Sequence, residues 1–278
     1  MNSPKEVAQN YSATGVAKTK YTVTKMLVLS ILAGMFIGLA GVGSTMAAAS
    51  IASASVAKLV MALVFPVGLI MVLIAGSELF TGNCLIVISV MEKDVKLRAM
   101  FKNWIIVYIG NFIGSIIIAL LTVYSGTFSA FSNAAAALLI KTAVTKVGLS
   151  FSDALLRGIL CNFLVCIGVW MSYAAKDVLN KIMAAFLPVM LFVASGYEHS
   201  IANMLYLPAA LFAKGNSAYV DAYAKLAGAN HIDTLTWGAL FVKNLSPVTL
   251  GNIIGGTVLV GMVYWFVYLY KSGEKEKH

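Results

Sequence analysis

Six stretches of the chain are apolar for long enough to cross a lipid bilayer. They run at about residues 26–48, 59–91, 104–124, 154–174, 182–212 and 248–270. A helix needs roughly 20 apolar residues to span the hydrocarbon core, so four of these runs fit one helix each. The second and fifth are too long for that, and each is interrupted by a short polar break. The first break reads Gly76-Ser77-Glu78-Leu79-Phe80-Thr81-Gly82-Asn83, and the second Gly196-Tyr197-Glu198-His199-Ser200-Ile201-Ala202-Asn203. Gly, Glu and Asn recur in both at the same spacing. The pattern predicts an all-α transmembrane protein of six helices, with the second and fifth broken.

The likeness between the two runs extends outward. Gly110-Asn111-Phe112-Ile113-Gly114 in the third run matches Gly251-Asn252-Ile253-Ile254-Gly255 in the sixth. Phe65-Pro66-Val67 precedes the first break as Phe186-Leu187-Pro188-Val189 precedes the second. Segments one to three therefore repeat as four to six, with halves at about 26–125 and 150–271. Three is an odd number, so the second copy enters the membrane upside down. In inverted repeats the binding site lies near the midplane, at the broken helices, and an ionisable residue kept at that depth is functional by default. Glu78 and Glu198 read as anchors that accept from the backbone N–H groups freed by each break. Pro66 and Pro188, which lack a donor, and Gly76, Gly82 and Gly196, which tolerate unusual angles, read as the causes of the breaks. The Gly-Asn-x-Ile-Gly pair reads as close helix packing on small residues.

Composition agrees with the hydropathy pattern: of 278 residues 60% are hydrophobic and 11% charged, and mean hydropathy is +0.88. Thirteen of the twenty Lys and Arg fall on the side that holds both termini, and six on the other. By the positive-inside rule the N-terminal segment, 1–25, and the tail, 272–278, are cytoplasmic, which places the protein in the inner membrane. The net charge of +9 is thus mostly topology and calls for no nucleic-acid partner. The first run is too long and too far from the start for a cleavable signal. Residues 1–24 read as a flexible polar tail. Cys84, Cys161 and Cys166 lie inside apolar runs and read as small packing residues, and no spacing suggests zinc or another metal. No phosphate-binding glycine loop occurs, so neither a cofactor nor ATP drive is expected.

Few residues remain to carry chemistry. His199 is the only histidine in the hydrophobic body, and its imidazole could exchange a proton with a weak acid. Thr81 offers a hydroxyl in the other break. Phe65 and Leu69 lie four apart on one helix face, and with Leu79 and Phe192 they could form apolar constrictions that exclude water. Lys146, ending the loop before the fourth segment, reads by itself as a solvated residue. Asp153 and Arg157, one turn apart, read as a local ion pair.

Five motifs together carry a resemblance: GSELFTGN (76–83), NWIIVYIGNFIG (103–114), RGILCNFLVCIGVWMSYAAKD (157–177), FVASGYEHSIANM (192–204) and LSPVTLGNIIGG (245–256). With them the chain resembles the formate–nitrite transporter family from about Tyr11 to Lys271. The long hydrophilic stretch at about 213–244 makes it most similar to the formate-channel branch. The resemblance implies an aquaporin-like six-helix subunit, five of which form a ring with one pore each. It also implies passive, pH-sensitive passage of formate and similar small anions of weak acids, without enzymatic activity. The family's central histidine falls on His199, its pore threonine on Thr81 and its vestibule lysine on Lys146. The constrictions fall on Phe65, Leu69, Leu79 and Phe192, and the polar partners on Glu198, Asn162 and Asn252. The first break carries Glu78 where formate-channel members carry Asp. Nitrite, hydrosulfide and lactate stay open as substrates, and so does proton-coupled symport. A water or glycerol pore is excluded because its paired Asn-Pro-Ala motifs are missing from the sequence.

Overall fold

The computed structural model describes residues 1–228 and 231–270, and every described element is helical. The tail at 272–278 and the cations Lys271, Lys275 and Lys277 lie outside the described residues. The chain opens with α1 (Pro4–Thr19), followed by the long α2 (Val23–Ala48). The first over-long run becomes α3 (Ala54–Val64), α4 (Val67–Ala75), the short α5 (Phe80–Asn83) and α6 (Val87–Met91). Then come α7 (Leu97–Tyr124), α8 (Ala134–Val147) and α9 (Phe151–Ala174). The second over-long run becomes α10 (Val178–Ala194) and α11 (Ser200–Ala213), and α12 (Ser217–Ala227) follows. The sixth run is α13 (Trp237–Ala239), α14 (Ser246–Ile253) and α15 (Val263–Tyr268), joined by two π-helical stretches, Leu240–Leu245 and Ile254–Met262.

Five continuous helical stretches are long and apolar enough to span a membrane: Val23–Ala48, Ala54–Ala75, Leu97–Tyr124, Phe151–Ala174 and Trp237–Tyr268. Phe80–Met91, Val178–Ala194 and Ser200–Ala213 are apolar but shorter. The first four spans begin three to seven residues earlier than the apolar runs suggest, because their first turns carry polar or charged residues, and the last begins at Trp237, eleven residues before its run.

The helices pack through their glycines. A Cβ on Gly114 of α7 would come within 2.0 Å of the Ile31 carbonyl oxygen in α2, and one on Gly251 of α14 within 2.2 Å of Leu155 O in α9. Only a residue without a side chain allows backbones this close, as small residues do in membrane bundles generally.

The prolines do not make the breaks. Pro66 lies between α3 and α4 in a stretch that remains helical, and α10 runs unbroken through Pro188. The chain leaves the helix about ten residues later, at Gly76 (φ 79°) and Gly196 (φ 72°). A proline removes one donor and bends a helix, whereas a left-handed residue turns the chain out of it.

Three polar stretches are more ordered than their sequence suggests. Residues 1–24 are not a flexible tail: α1 is closed at its start by a Ser3–Glu6 capping box and buries Val7, Ala8, Tyr11, Ser12 and Gly15. A Cβ on Gly15 would meet Ser89 Oγ at 2.1 Å, so α1 lies hard against the body. Lys146 sits in the last turn of α8 rather than in a loop, and the stretch at 213–244 contains α12. Asp153 and Arg157 form no ion pair; both are exposed, where pairing gains little over hydration.

Candidate functional site

Both breaks are held by the same set of bonds. Asn111 Nδ2 donates to Ser30 O (2.8 Å) and Glu78 O (2.9 Å), while its Oδ1 accepts from Phe80 N (3.0 Å). Asn252 Nδ2 donates to Gly158 O (2.8 Å) and Glu198 O (3.0 Å), while its Oδ1 accepts from Ser200 N (2.9 Å). Glu78 N donates to Leu29 O and Glu198 N to Arg157 O, both at 3.2 Å. Unwound backbone inside a membrane needs such partners, and one side-chain amide supplies both donor and acceptor. The Asn of each Gly-Asn-x-Ile-Gly motif is therefore the clamp, and its glycines are the packing surface.

The glutamates do not accept from backbone N–H groups, as the sequence suggested. Glu78 accepts from Lys18 Nζ (2.8 Å) and Asn83 Nδ2 (2.7 Å), and Glu198 from Lys146 Nζ (2.9 Å) and Asn203 Nδ2 (2.7 Å). A buried carboxylate is stabilised far more by an opposite charge than by a neutral donor, and the asparagines already occupy the freed N–H groups. Asn83 continues to Asn103 (2.9 Å) and Asn203 to Asn244 (2.7 Å). Lys18 comes from α1, outside the repeated segments. Lys146 of α8 also lies outside the two halves, and each lysine stands in a last turn five residues before the next helix begins. Both pairings depend on how α1 and α8 dock, and for that reason sequence alone missed them.

Between the breaks, Thr81 Oγ1 and His199 Nε2 are 2.9 Å apart, and both residues are buried. His199 is the N-cap of α11, and its Nδ1 accepts from Ala202 N at 3.1 Å. An acceptor nitrogen carries no hydrogen, so the proton of the neutral ring is on Nε2 and is donated to Thr81 Oγ1. The Thr81 hydroxyl hydrogen is then left to point elsewhere. The Thr81 carbonyl accepts from Asn162 Nδ2 (3.2 Å) and Cys166 Sγ (3.3 Å), and Asn162 Nδ2 also reaches Asn252 O (2.7 Å). Asn162 thus ties the first break to Asn252, the clamp of the second, behind the threonine.

Apolar side chains close the space on either side. Phe65 and Phe192 meet edge to face with ring centroids 5.9 Å apart, and Phe192 lies 5.8 Å from the His199 ring. A cavity of about 60 Å³ lies along this side, lined by Lys58, Phe65, Lys146, Phe192, His199 and Tyr206 among others. On the opposite side a cavity of about 40 Å³ is lined by Tyr11, Lys18, Leu69, Ser77, Leu79 and Val169 among others. Each has room for one or two waters, or for an ion of that size, at roughly 30 Å³ per water. Helix α1 forms part of the second cavity's wall: Tyr11 Oη donates to Gly82 O at 2.8 Å. Ser77, which sequence reasoning passed over, has a buried hydroxyl without a partner at this mouth.

Two breaks facing each other, with one Thr–His contact between two apolar pinches, are the layout that the five sequence motifs imply. The pattern of the family described as Formate/nitrite transporter matches residues 5–266. The chain belongs to the formate/nitrite transporter family. Its relatives are transporters and channels, so it is a multi-pass membrane transport protein and not an enzyme. It is 36% identical to the probable formate transporter of Methanothermobacter thermautotrophicus, over 96% of this chain and 97% of that one. It is also 36% identical to the formate channel FocA of Escherichia coli, over 97% of this chain and 95% of that one. Among solved structures it is similar to a pentameric formate channel with formate bound, with a TM-score of 0.79 and 36% identity over 89% of this chain and 98% of that one. A second similar structure, an FNT family ion channel, gives a TM-score of 0.81 at 27% identity over 94% and 98% of the two chains.

Proposed function

We propose that this formate/nitrite transporter is a passive channel for formate and related small monovalent anions of weak acids, built as two inverted halves and working as a pentamer in the inner membrane with both termini cytoplasmic. The Thr81–His199 contact between two apolar pinches carries this reading. The likeness to formate channels supports the substrate class, and the likeness to a pentameric channel supports the assembly. An anion entering a narrow apolar passage bare loses its hydration at a cost of many kcal/mol; the neutral acid loses far less. The cationic groups about Lys146 draw the anion to the Phe65–Phe192 side, and the Thr81 hydroxyl donates to the substrate at the centre. The neutral acid then crosses the pinches.

The sequence favoured His199 as proton donor, but the hydrogen bonds favour another arrangement. With Nδ1 accepting the α11 N–H, an imidazolium would set two donors against each other, and giving up the Nε2 hydrogen would leave an anionic ring. His199 therefore acts by holding Thr81, and the proton that neutralises the substrate comes from bulk hydronium, relayed through cavity water so that no hydroxide is left behind. Proteoliposomes loaded with a pH dye test this. Formate uptake should carry about one proton per formate in both the wild type and His199→Asn, the variant being slower. Proton movement that disappears in His199→Asn while formate still crosses would return the donor role to the histidine.

A further inference from the structure

The two mouths of the pore differ in charge, and the difference rests on Lys58. At the mouth formed by α1, Lys18 is paired with Glu78 at 2.8 Å. At the opposite mouth Lys146 is paired with Glu198 at 2.9 Å. A paired lysine presents a passing anion with little more than a dipole, since the carboxylate cancels most of its field at a distance. Lys146 alone is a weak lure.

Lys58 has no such partner. It sits in the first half of α3, two helical turns before Phe65, which is about 10 Å at 1.5 Å per residue. Lys58, Met61 and Phe65 follow one another at helical spacing on one face, and all three line the same cavity as Lys146 and His199. The Lys58 side chain reaches over the second break: a Cβ on Gly196 would lie 4.0 Å from its Nζ. The charges around it are Lys146, Arg157 and Glu198, and Glu198 is already engaged by Lys146 and Asn203. No carboxylate among the described residues lies within ion-pair distance of Lys58. The cavity on this side therefore holds a net positive charge, in a recess that is mostly apolar. In such a recess a charge is screened little and raises the local concentration of counter-ions.

We infer that Lys58 is the anion-capturing residue at the mouth remote from α1, handing the substrate inward past Lys146 to Thr81 and His199. The inference rests on the anion-channel reading above. It makes the two directions of entry unequal at low substrate, since among the described residues the lysine lining the α1-side cavity is Lys18, which is paired. Capture affects the concentration at which the pore fills, not its passage rate once filled.

The test is formate uptake into proteoliposomes of wild type, Lys58→Gln, Lys58→Arg and Lys58→Cys over a range of formate and salt. Lys58→Gln should lower uptake at low formate by roughly tenfold in low salt, leave the saturating flux nearly unchanged, and flatten the salt dependence. Lys58→Arg should behave as wild type. Lys58→Cys should recover on reaction with 2-aminoethyl methanethiosulfonate, which restores a cation, and fall further with the sulfonatoethyl reagent; the native cysteines are buried, which makes the treated wild type the control. A flux that responds to neither reagent, or a Lys58→Gln variant with wild-type uptake at low formate, overturns the inference while leaving the channel reading in place. A wild type that passes no weak-acid anion overturns both.

Discussion

Thr81 and His199 occupy different places in their two copies, and this separates framework from chemistry. His199 stands where the other break has Leu79, and both are extended N-caps at φ near −106°. Thr81 stands where the other break has Ile201. Gly, Glu and Asn are shared because both breaks need the same turn, ion pair and amide. The polar Thr–His contact exists once because one pore centre needs it once. Replacing Thr81 by Val should therefore slow formate flux by more than tenfold while leaving the folded pentamer intact by size-exclusion chromatography; wild-type flux would remove Thr81 from the passage. At Lys146 the expectation is different. Lys146→Met leaves Glu198 buried without its cation, which costs about 3–5 kcal/mol, and the double variant with Glu198→Gln should recover much of it. Thermal unfolding in detergent reads this directly, and a single variant as stable as wild type would show that the pair is not holding the break.

At the scale of helices, α1 closes one mouth with Tyr11 and Lys18. Removal of residues 1–20 should raise formate flux at neutral pH and leave Glu78 unpaired, with a lower unfolding temperature. Unchanged flux would show that α1 does not obstruct the path. The α1 cap does not loosen between neutral pH and the ordinary carboxylate range. The Ser3 backbone N–H, and then its hydroxyl, hold the Glu6 carboxyl below its ordinary value of 4.5. A group lowered in the folded state stabilises above its unfolded value, so this contribution is present at neutral pH and fades only as pH falls through the lowered value. Replacing Gly114 by Val would force α2 away from α7 and should cost at least about 1–3 kcal/mol, seen as loss of monodisperse protein.

The all-helical fold and the two breaks were legible because apolar length and recurring Gly, Glu and Asn are properties of the sequence itself. The candidate residues His199, Thr81, Asn162 and Asn252 come together in the structure, as do Phe65 with Phe192 and Leu69 with Leu79. What stayed hidden depends on docking between segments far apart in the chain. Lys18 looks like one charge on a polar tail until α1 folds back onto Glu78. Asn111 and Asn252 look like part of a packing motif until each is seen to clamp a break. Pro66 and Pro188 were the obvious breakers, yet a surrounding helix absorbs a proline more readily than it absorbs a residue with positive φ.

The whole molecule shows a broad apolar exterior, with Ile105, Leu121 and Val267 each 60% exposed. On a soluble monomer such surface would be a liability; in a membrane protein it faces lipid, and the proposed pentamer would cover part of it. The account at this scale is a pore that equilibrates its substrate. Native mass spectrometry in mild detergent should give five times 29.6 kDa, and a monomer alone would contradict the ring. The most direct measurement is formate exchange in proteoliposomes with every ion gradient collapsed. The account predicts that labelled formate equilibrates to the same concentration inside and outside, at a rate that falls more than tenfold with Thr81→Val. Labelled formate that fails to equilibrate once every gradient is collapsed, and enters only while a proton gradient is imposed, would contradict the channel.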